Sequence, residues 1–362
     1  MKTKCFEDFC VTPSPVPNDG LMFADHSPSR RSGHLGHALA ECLNGELLAF
    51  YPSCNDDNNG HSGNGWMEFK RSFDYGQTWE NPVKLDYSFD MWASKCGRTA
   101  MAEKAVTTDT GAIVLFHLIC DMQVNGSIWE PYWEPTYTRS EDHGHTWSDA
   151  KQLCPLRGRV YDALYKDGVI YALMFANDAT VHYAGILPGH QYQLYESHDD
   201  GRTFSLSSTL SINPQGRCYG TMEFMENGDL IVYVYNLNDE YHADYCVSHD
   251  NGITWCAPGK SYFAKCIRNP QLVRFGDGYF LHGRSGSLCA DPGHFVIYFS
   301  NDGFSWDAGH CLRKRGPGAG AYSNNLVVKK YGNPTQDRLL IHASHPYDAH
   351  RTNVVYWWID RK

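Results

Sequence analysis

The sequence predicts an all-β chain folded as a six-bladed β-propeller, and three observations carry that prediction. A phrase Ser-x-Asp-x-Gly-x-Thr-aromatic occurs four times, at Ser72–Trp79, Ser140–Trp147, Ser197–Phe204 and Ser248–Trp255, with a shortened fifth copy at Ser300–Trp306. Six apolar hairpins alternate with these phrases. Aromatic residues make up 14% of the chain, with 33 glycines and no long helical period, as many short strands and tight turns require.

The elements follow in order along the chain. Residues 1–33 are Pro-rich, through VTPSPVPNDG, and cannot hold a blade of their own; they offer an outer strand to the last blade. Residues 34–362 form a single propeller domain. Its hairpins are HALAECLNGELLAFY, EKAVTTDTGAIVLFH, YDALYKDGVIYALMF, TMEFMENGDLIVYVY, PQLVRFGDGYFLHGR and a longer one from Asn324 to Ser344. Asn-Gly and Asp-Gly between apolar runs mark tight turns. Each repeated phrase closes a second hairpin: Asp bonds its own backbone, Gly takes positive φ, and the aromatic residue anchors the turn. Two hairpins per unit give four strands, and six units give the ring. The phrases are expected on outer turns, away from the central funnel.

Charge and cysteine content narrow the function. A net charge of −10 without a Lys/Arg run argues against nucleic acid and anionic membrane surfaces. The start of the chain lacks the apolar core of a signal peptide, so thirteen cysteines read as reduced thiols and the expected compartment is the cytoplasm. No paired spacing of zinc ligands is present, and neither metal nor cofactor is expected.

Inner strands begin at the funnel, so residues there are the candidates for chemistry. They are His34, His37, Arg98, Glu103, Tyr161, Asp162, Arg217, Tyr219, Glu223, Arg268, Asn269, Tyr322 and Asn324. Arg284 ends the second strand of its hairpin, and His350 and Arg351 lie on the last turn.

With its repeated phrases and six units, nearly the whole chain resembles the sialidase superfamily, whose six-bladed propellers carry these turns as Asp boxes. The box is specific for this hairpin but not for sialidase activity. The resemblance implies a carbohydrate substrate with an acidic sugar, three arginines gripping its carboxylate, a Tyr nucleophile with a Glu partner, and an Asp acid/base. Guanidinium forks match a carboxylate bidentately. QLVRFGDGYFLHGR resembles the segment of the second gripping arginine, which implies Arg284. LLIHASHPYDAHRTNVVYW resembles that of the third, which implies Arg351. The loop CNDDNNGHSGNG offers Asp56 or Asp57 as the acid/base. Tyr322, in GAYSNN, resembles the nucleophile context, although it precedes Arg351 where the family's Tyr follows. Glu223 is its expected partner on spatial grounds, and Arg98, Arg217, Arg268 and Tyr161 are further substrate-binding candidates.

One departure stands at the first arginine. In its place the phrase HLGHAL offers His34 and His37, with Arg30 and Arg31 out of register. A histidine fits a second chemistry, a uronate-specific lyase using His37 or His34 with Tyr219 or Tyr161. A third reading is a glycan-binding propeller without catalysis. The expected activity is removal of a terminal acidic sugar by a sialidase-like exo-glycosidase.

Overall fold

The computed structural model describes residues 4–14, 18–55, 63–122, 133–177, 184–286, 289, 292–314, 320–329 and 335–362. Six antiparallel sheets stand in a ring. Blade 1 comprises Ala38–Glu41, Leu47–Cys54, Gly65–Ser72 and Val83–Lys84. Blade 2 comprises Arg98–Thr107, Ile113–Asp121, Thr136–Ser140 and Lys151–Gln152. Blade 3 comprises Gly158–Lys166, Val169–Ala176, Gln191–Ser197 and Ser205–Thr209. Blade 4 comprises Arg217–Phe224, Leu230–Asn236, His242–Ser248 and Gly259–Tyr262. Blade 5 comprises Arg268–Phe275, Gly278–Arg284, Phe295–Ser300 and His310–Arg313.

Blade 6 draws on both ends of the chain. Its strands Ser323–Val328, Arg338–Pro346 and Thr352–Arg361 are completed by Phe9–Thr12, with Phe9 opposite Arg361. A second N-terminal strand, Leu21–Ala24, pairs with the earlier half of Thr352–Arg361. A short helix, Asp86–Ala93, joins blades 1 and 2, with Asp86 in its first turn where the helix dipole favours an acid.

The core lies between the blades. Six apolar clusters fill the six gaps: Phe50 and Met101 meet between blades 1 and 2, for example, and Tyr233 and Leu281 between blades 4 and 5. The repeated turns serve this packing. In the second copy the Ser140 hydroxyl donates to Asp142 Oδ1 (2.8 Å) and accepts from the Gly144 N–H (2.8 Å). Thr146 donates from its N–H and its hydroxyl to the two Asp142 oxygens, at 2.8 and 2.6 Å. These donors hold the Asp142 carboxyl down to about 2 against the opposing effect of burial. Gly144 has φ +78°, and a Cβ there would lie 2.4 Å from Leu48 of the preceding blade. Gly201 meets Val114 in the same way at 2.2 Å. Each of these turns therefore presses its glycine against the blade before it.

A buried polar belt ties the inner strands together. Lys104 Nζ in blade 2 pairs with Asp162 Oδ1 in blade 3 (2.8 Å) and donates to Asn324 Oδ1 in blade 6 (2.7 Å) and Gln271 Oε1 in blade 5 (3.3 Å). Asp162 Oδ2 accepts from the Thr221 hydroxyl (2.7 Å) and the Met222 N–H (2.8 Å) of blade 4. Asn324 Nδ2 donates to the His37 carbonyl of blade 1 (2.6 Å). All six inner strands take part, and the three ammonium hydrogens each have an acceptor. Asp162 and Asn324, candidates for chemistry by position, are members of this belt.

Candidate functional site

One face of the ring carries the starts of the inner strands and the ends of the second strands. We call its opening the upper mouth. There, Arg159 at the start of blade 3 donates from Nη1 to the Tyr219 hydroxyl of blade 4 (2.9 Å). Its Nε and Nη2 both reach Glu103 Oε2 of blade 2, at 3.0 and 2.7 Å. The Tyr219 and Tyr322 hydroxyls share a hydrogen bond of 3.0 Å across the axis. Tyr161 packs its ring against Tyr219, and the His34 ring meets Tyr322 edge to face, 4.5 Å between centroids. Tyr161, Tyr219, Tyr322, Glu103 and Arg159 line a cavity of about 30 Å³ on the axis.

Beside the tyrosines, blade 5 carries a row of arginines. Arg268 pairs across the strands with Arg284, Arg284 with Phe295, and Phe295 with Arg313. Paired residues project from the same face of a sheet, and like charges placed opposite one another are destabilising. Arg268 is offset by Glu240 (Nε to Oε1 3.4 Å) and donates to the Tyr235 hydroxyl (3.2 Å). Half-buried Arg284 makes no ion pair or side-chain hydrogen bond among the described residues. Burial and the neighbouring Arg268 push its guanidinium below the ordinary arginine range, while Tyr322, Tyr235 and Tyr219 act in the other direction. Arg313 is 2% exposed, and burial with Arg284 nearby brings it to about 10, opposed by Asp19. A positive charge held half-buried without an acid beside it would be stabilised by an anion.

The remaining candidates divide. Tyr219, Tyr322, Tyr161, His34, Arg268 and Arg284 gather at the upper mouth. Arg351 lies on the same face, but its guanidinium pairs with Asp348 (2.8 Å) within its own turn. Arg217 is paired with Asp244 (2.8 Å), and exposed Arg98 lies over Trp133. Asp56 and Asp57 fall outside the described residues.

One placement qualifies the expectations and another corrects them. His37 lines the same small axial cavity as Tyr161, Tyr219 and Tyr322, but its Nδ1 lies 3.2 Å from His342 Nδ1 of blade 6. Burial lowers it to about 3, so it is neutral and enclosed rather than poised to exchange a proton near neutrality. Gly36, at φ +76°, turns the chain between His34 and His37 and sends their rings to different places. Glu223 sits at the opposite end of its strand from the funnel, beyond the polar belt. Its carboxylate accepts from the Phe224 N–H (2.8 Å) and the Arg274 N–H (2.9 Å), and burial raises it to about 7. It cannot partner Tyr322. Arg159, which donates to Tyr219, and Arg313, which carries a like charge near Arg284, were not among the sequence candidates, and Glu103, which pairs with Arg159, was one by position alone. Arg159 and Arg313 carried a signal only in that each stands at the upper end of a strand.

Among the described residues no group of three or more His, Cys, Asp or Glu is arranged to hold a metal, and all thirteen cysteines stand as free thiols.

No family model matches the chain. A curated sialidase from Paraclostridium sordellii is 26% identical over 211 residues, 51% of this chain. The match takes in 48% of that protein, so the chain spans about half the length of its curated relative. A structure of a protein of unknown function from Dyadobacter fermentans superposes with TM-score 0.71 at 14% identity, covering 95% of this chain and 98% of that one. A sialidase structure from Streptococcus pneumoniae superposes with TM-score 0.65 at 12% identity, covering 96% of this chain and 72% of that one. The chain thus has the six-bladed fold found in sialidases along nearly all its length, and resembles a sialidase in sequence over about half of it.

Proposed function

We propose that the protein is a carbohydrate-active enzyme, a sialidase-like exo-glycosidase that removes a terminal acidic sugar. The observation that carries this reading is Arg284, a half-buried guanidinium without an acidic partner among the described residues, placed beside the Tyr219–Tyr322 pair. Arg284 holds the sugar carboxylate, with Arg268 adding positive field. The Tyr322 oxygen is the candidate nucleophile: the charge of Arg284 favours negative charge developing there, and Tyr219, itself held by Arg159, orients it. A phenol hydroxyl is neutral at rest and meets an anionic sugar without repulsion. The net reaction adds water across the glycosidic bond: the anomeric C–O bond breaks, hydroxide adds to that carbon, and a proton adds to the departing oxygen. The sialidase relative supports the carbohydrate class, and the arginine row supports an acidic sugar.

The test is hydrolysis of a fluorogenic sialoside and of its carboxyl methyl ester. The acid should be cleaved and the ester spared, and Tyr322→Phe should abolish turnover while the protein stays folded. Equal cleavage of both compounds would overturn the acidic-sugar reading. An unsaturated, ultraviolet-absorbing product from a uronate polymer would replace the hydrolase with a lyase.

A further inference from the structure

The funnel accounts for one negative charge on the substrate. A second receptor for negative charge stands on the same face, where blades 2 and 3 meet. Arg98 opens the inner strand of blade 2, and Arg157 immediately precedes that of blade 3. Both guanidinium groups lie over the indole of Trp133, 3.8 and 4.2 Å from the ring centroid. Neither makes an ion pair or a side-chain hydrogen bond among the described residues. The indole attracts each cation, but it carries no charge to offset them. Its Nε1–H also lacks an acceptor among the described residues. Two cations fixed over one ring repel each other, and a planar anion binding at their edges relieves that repulsion.

This stack is tied to the funnel by the chain itself. Arg157 lies two residues before Arg159, which donates to the Tyr219 hydroxyl at 2.9 Å. Two residues of extended chain span roughly 7 Å at most, about the length of one sugar unit, so Arg157 stands about that far along the rim from Arg159.

We propose that Arg98, Trp133 and Arg157 form a rim subsite for a second anionic group, a carboxylate or sulfate on the sugar next to the one held in the funnel. The preferred substrate class is then a glycan with consecutive acidic units. The inference rests on the funnel reading given above. A guanidinium fork serves carboxylate and sulfate oxygens alike, and the indole holds both forks in place.

The test is calorimetric titration of three ligands made non-hydrolysable by sulfur in place of the glycosidic oxygen: sialyllactose, whose second unit is neutral, its sulfated counterpart, and a disialyl dimer. Wild type should bind at least one of the doubly charged ligands about tenfold more tightly than sialyllactose, the effect of one charge-assisted bond. Which of the two gains identifies sulfate or carboxylate as the favoured group. Arg157→Ala should erase the gain and leave sialyllactose binding unchanged, while Arg157→Lys should restore only part of it. Trp133→Leu should also lose the gain; if that variant does not fold, Arg157→Ala decides. Equal binding of all three ligands by wild type, or a gain that survives Arg157→Ala, would overturn the rim subsite and leave the funnel reading intact. Failure of wild type to bind sialyllactose at all would overturn the funnel reading, and the rim subsite with it.

Discussion

The two mouths of the central axis differ in size and in charge balance. The lower mouth opens into a cavity of about 560 Å³ lined in part by Glu41, Asp109, Glu223 and Lys329, whereas the cavity under the upper tyrosines holds about 30 Å³. By size alone the lower mouth would be the site. Several of its charged groups, however, have partners: Glu41 accepts from the Lys329 N–H, Glu223 takes two backbone donors, and Lys104 and Asp162 neutralise each other. At the upper mouth Arg284 remains without an acidic partner among the described residues, beside a second arginine and a pair of phenols. Like charges held together cost folding energy, and an anion bound there would relieve that cost. In the function proposed above, charge left unbalanced marks the site better than volume does.

The largest effect is expected at Arg284. Arg284→Ala should reduce turnover of an acidic substrate by about a hundredfold, the loss of two charge-assisted bonds. The melting temperature should hold or rise, because a like charge opposite Arg268 is removed. A large fall in stability with unchanged turnover per folded molecule would make Arg284 a structural residue.

The lower mouth offers the converse test. Glu223 is raised by burial from its ordinary 4.5 to about 7, so its folded form keeps a proton that the unfolded chain has lost. Its contribution to stability is fully present below pH 4.5 and is lost as pH rises to about 7, by roughly 3 kcal/mol at most. Glu223→Gln should flatten that part of the pH–stability curve and leave turnover per folded molecule unchanged. Loss of turnover would place chemistry at the lower mouth after all.

A smaller effect is expected far from both mouths. Asp142→Ala removes the acceptor for both Thr146 donors and should lower stability by roughly 1 kcal/mol, since the turn is largely exposed to solvent. Chemical denaturation read beside turnover per folded molecule should show a shifted midpoint and equal activity.

The smallest effect on activity is expected at His37. Burial lowers His37, His117 and His282 to about 3, so each is neutral when folded. Their contribution is intact above pH 6.5 and is lost as pH falls toward 3. His37→Phe should weaken this acid sensitivity and leave turnover near neutrality unchanged. A lost reaction with intact substrate binding would instead put the proton transfer on His37.

What the sequence disclosed was local in character. The repeated turns are chemistry between near neighbours, Ser140 with Asp142 and Asp142 with Thr146, and tight hairpin turns are likewise written in adjacent residues. The arginine row was not legible, because it exists only once three strands are in register: Arg268 against Arg284, then Phe295 against Arg313. Height along the axis was equally hidden. Glu223 and Tyr219 share one inner strand, and nothing in its alternation says which end of the axis each one faces. The two histidines of HLGHAL are separated by a single backbone feature, the positive φ of Gly36, which sequence periodicity does not encode. The glycine of the second turn packing on Leu48 of the blade before it is of the same kind, a fact about neighbours that only the closed ring creates.

The pairing of Phe9 with Arg361 has a consequence for how the molecule is made. Five blades draw their strands from continuous stretches of chain and can form as each stretch becomes available. The sixth must bring together segments from opposite ends of the sequence, the step with the largest loop-closure entropy. Until it happens, Thr352–Arg361 presents an unpaired edge, and an open edge is a template for another chain. The seam therefore belongs among the last events of folding, and it is where association between half-closed rings would begin.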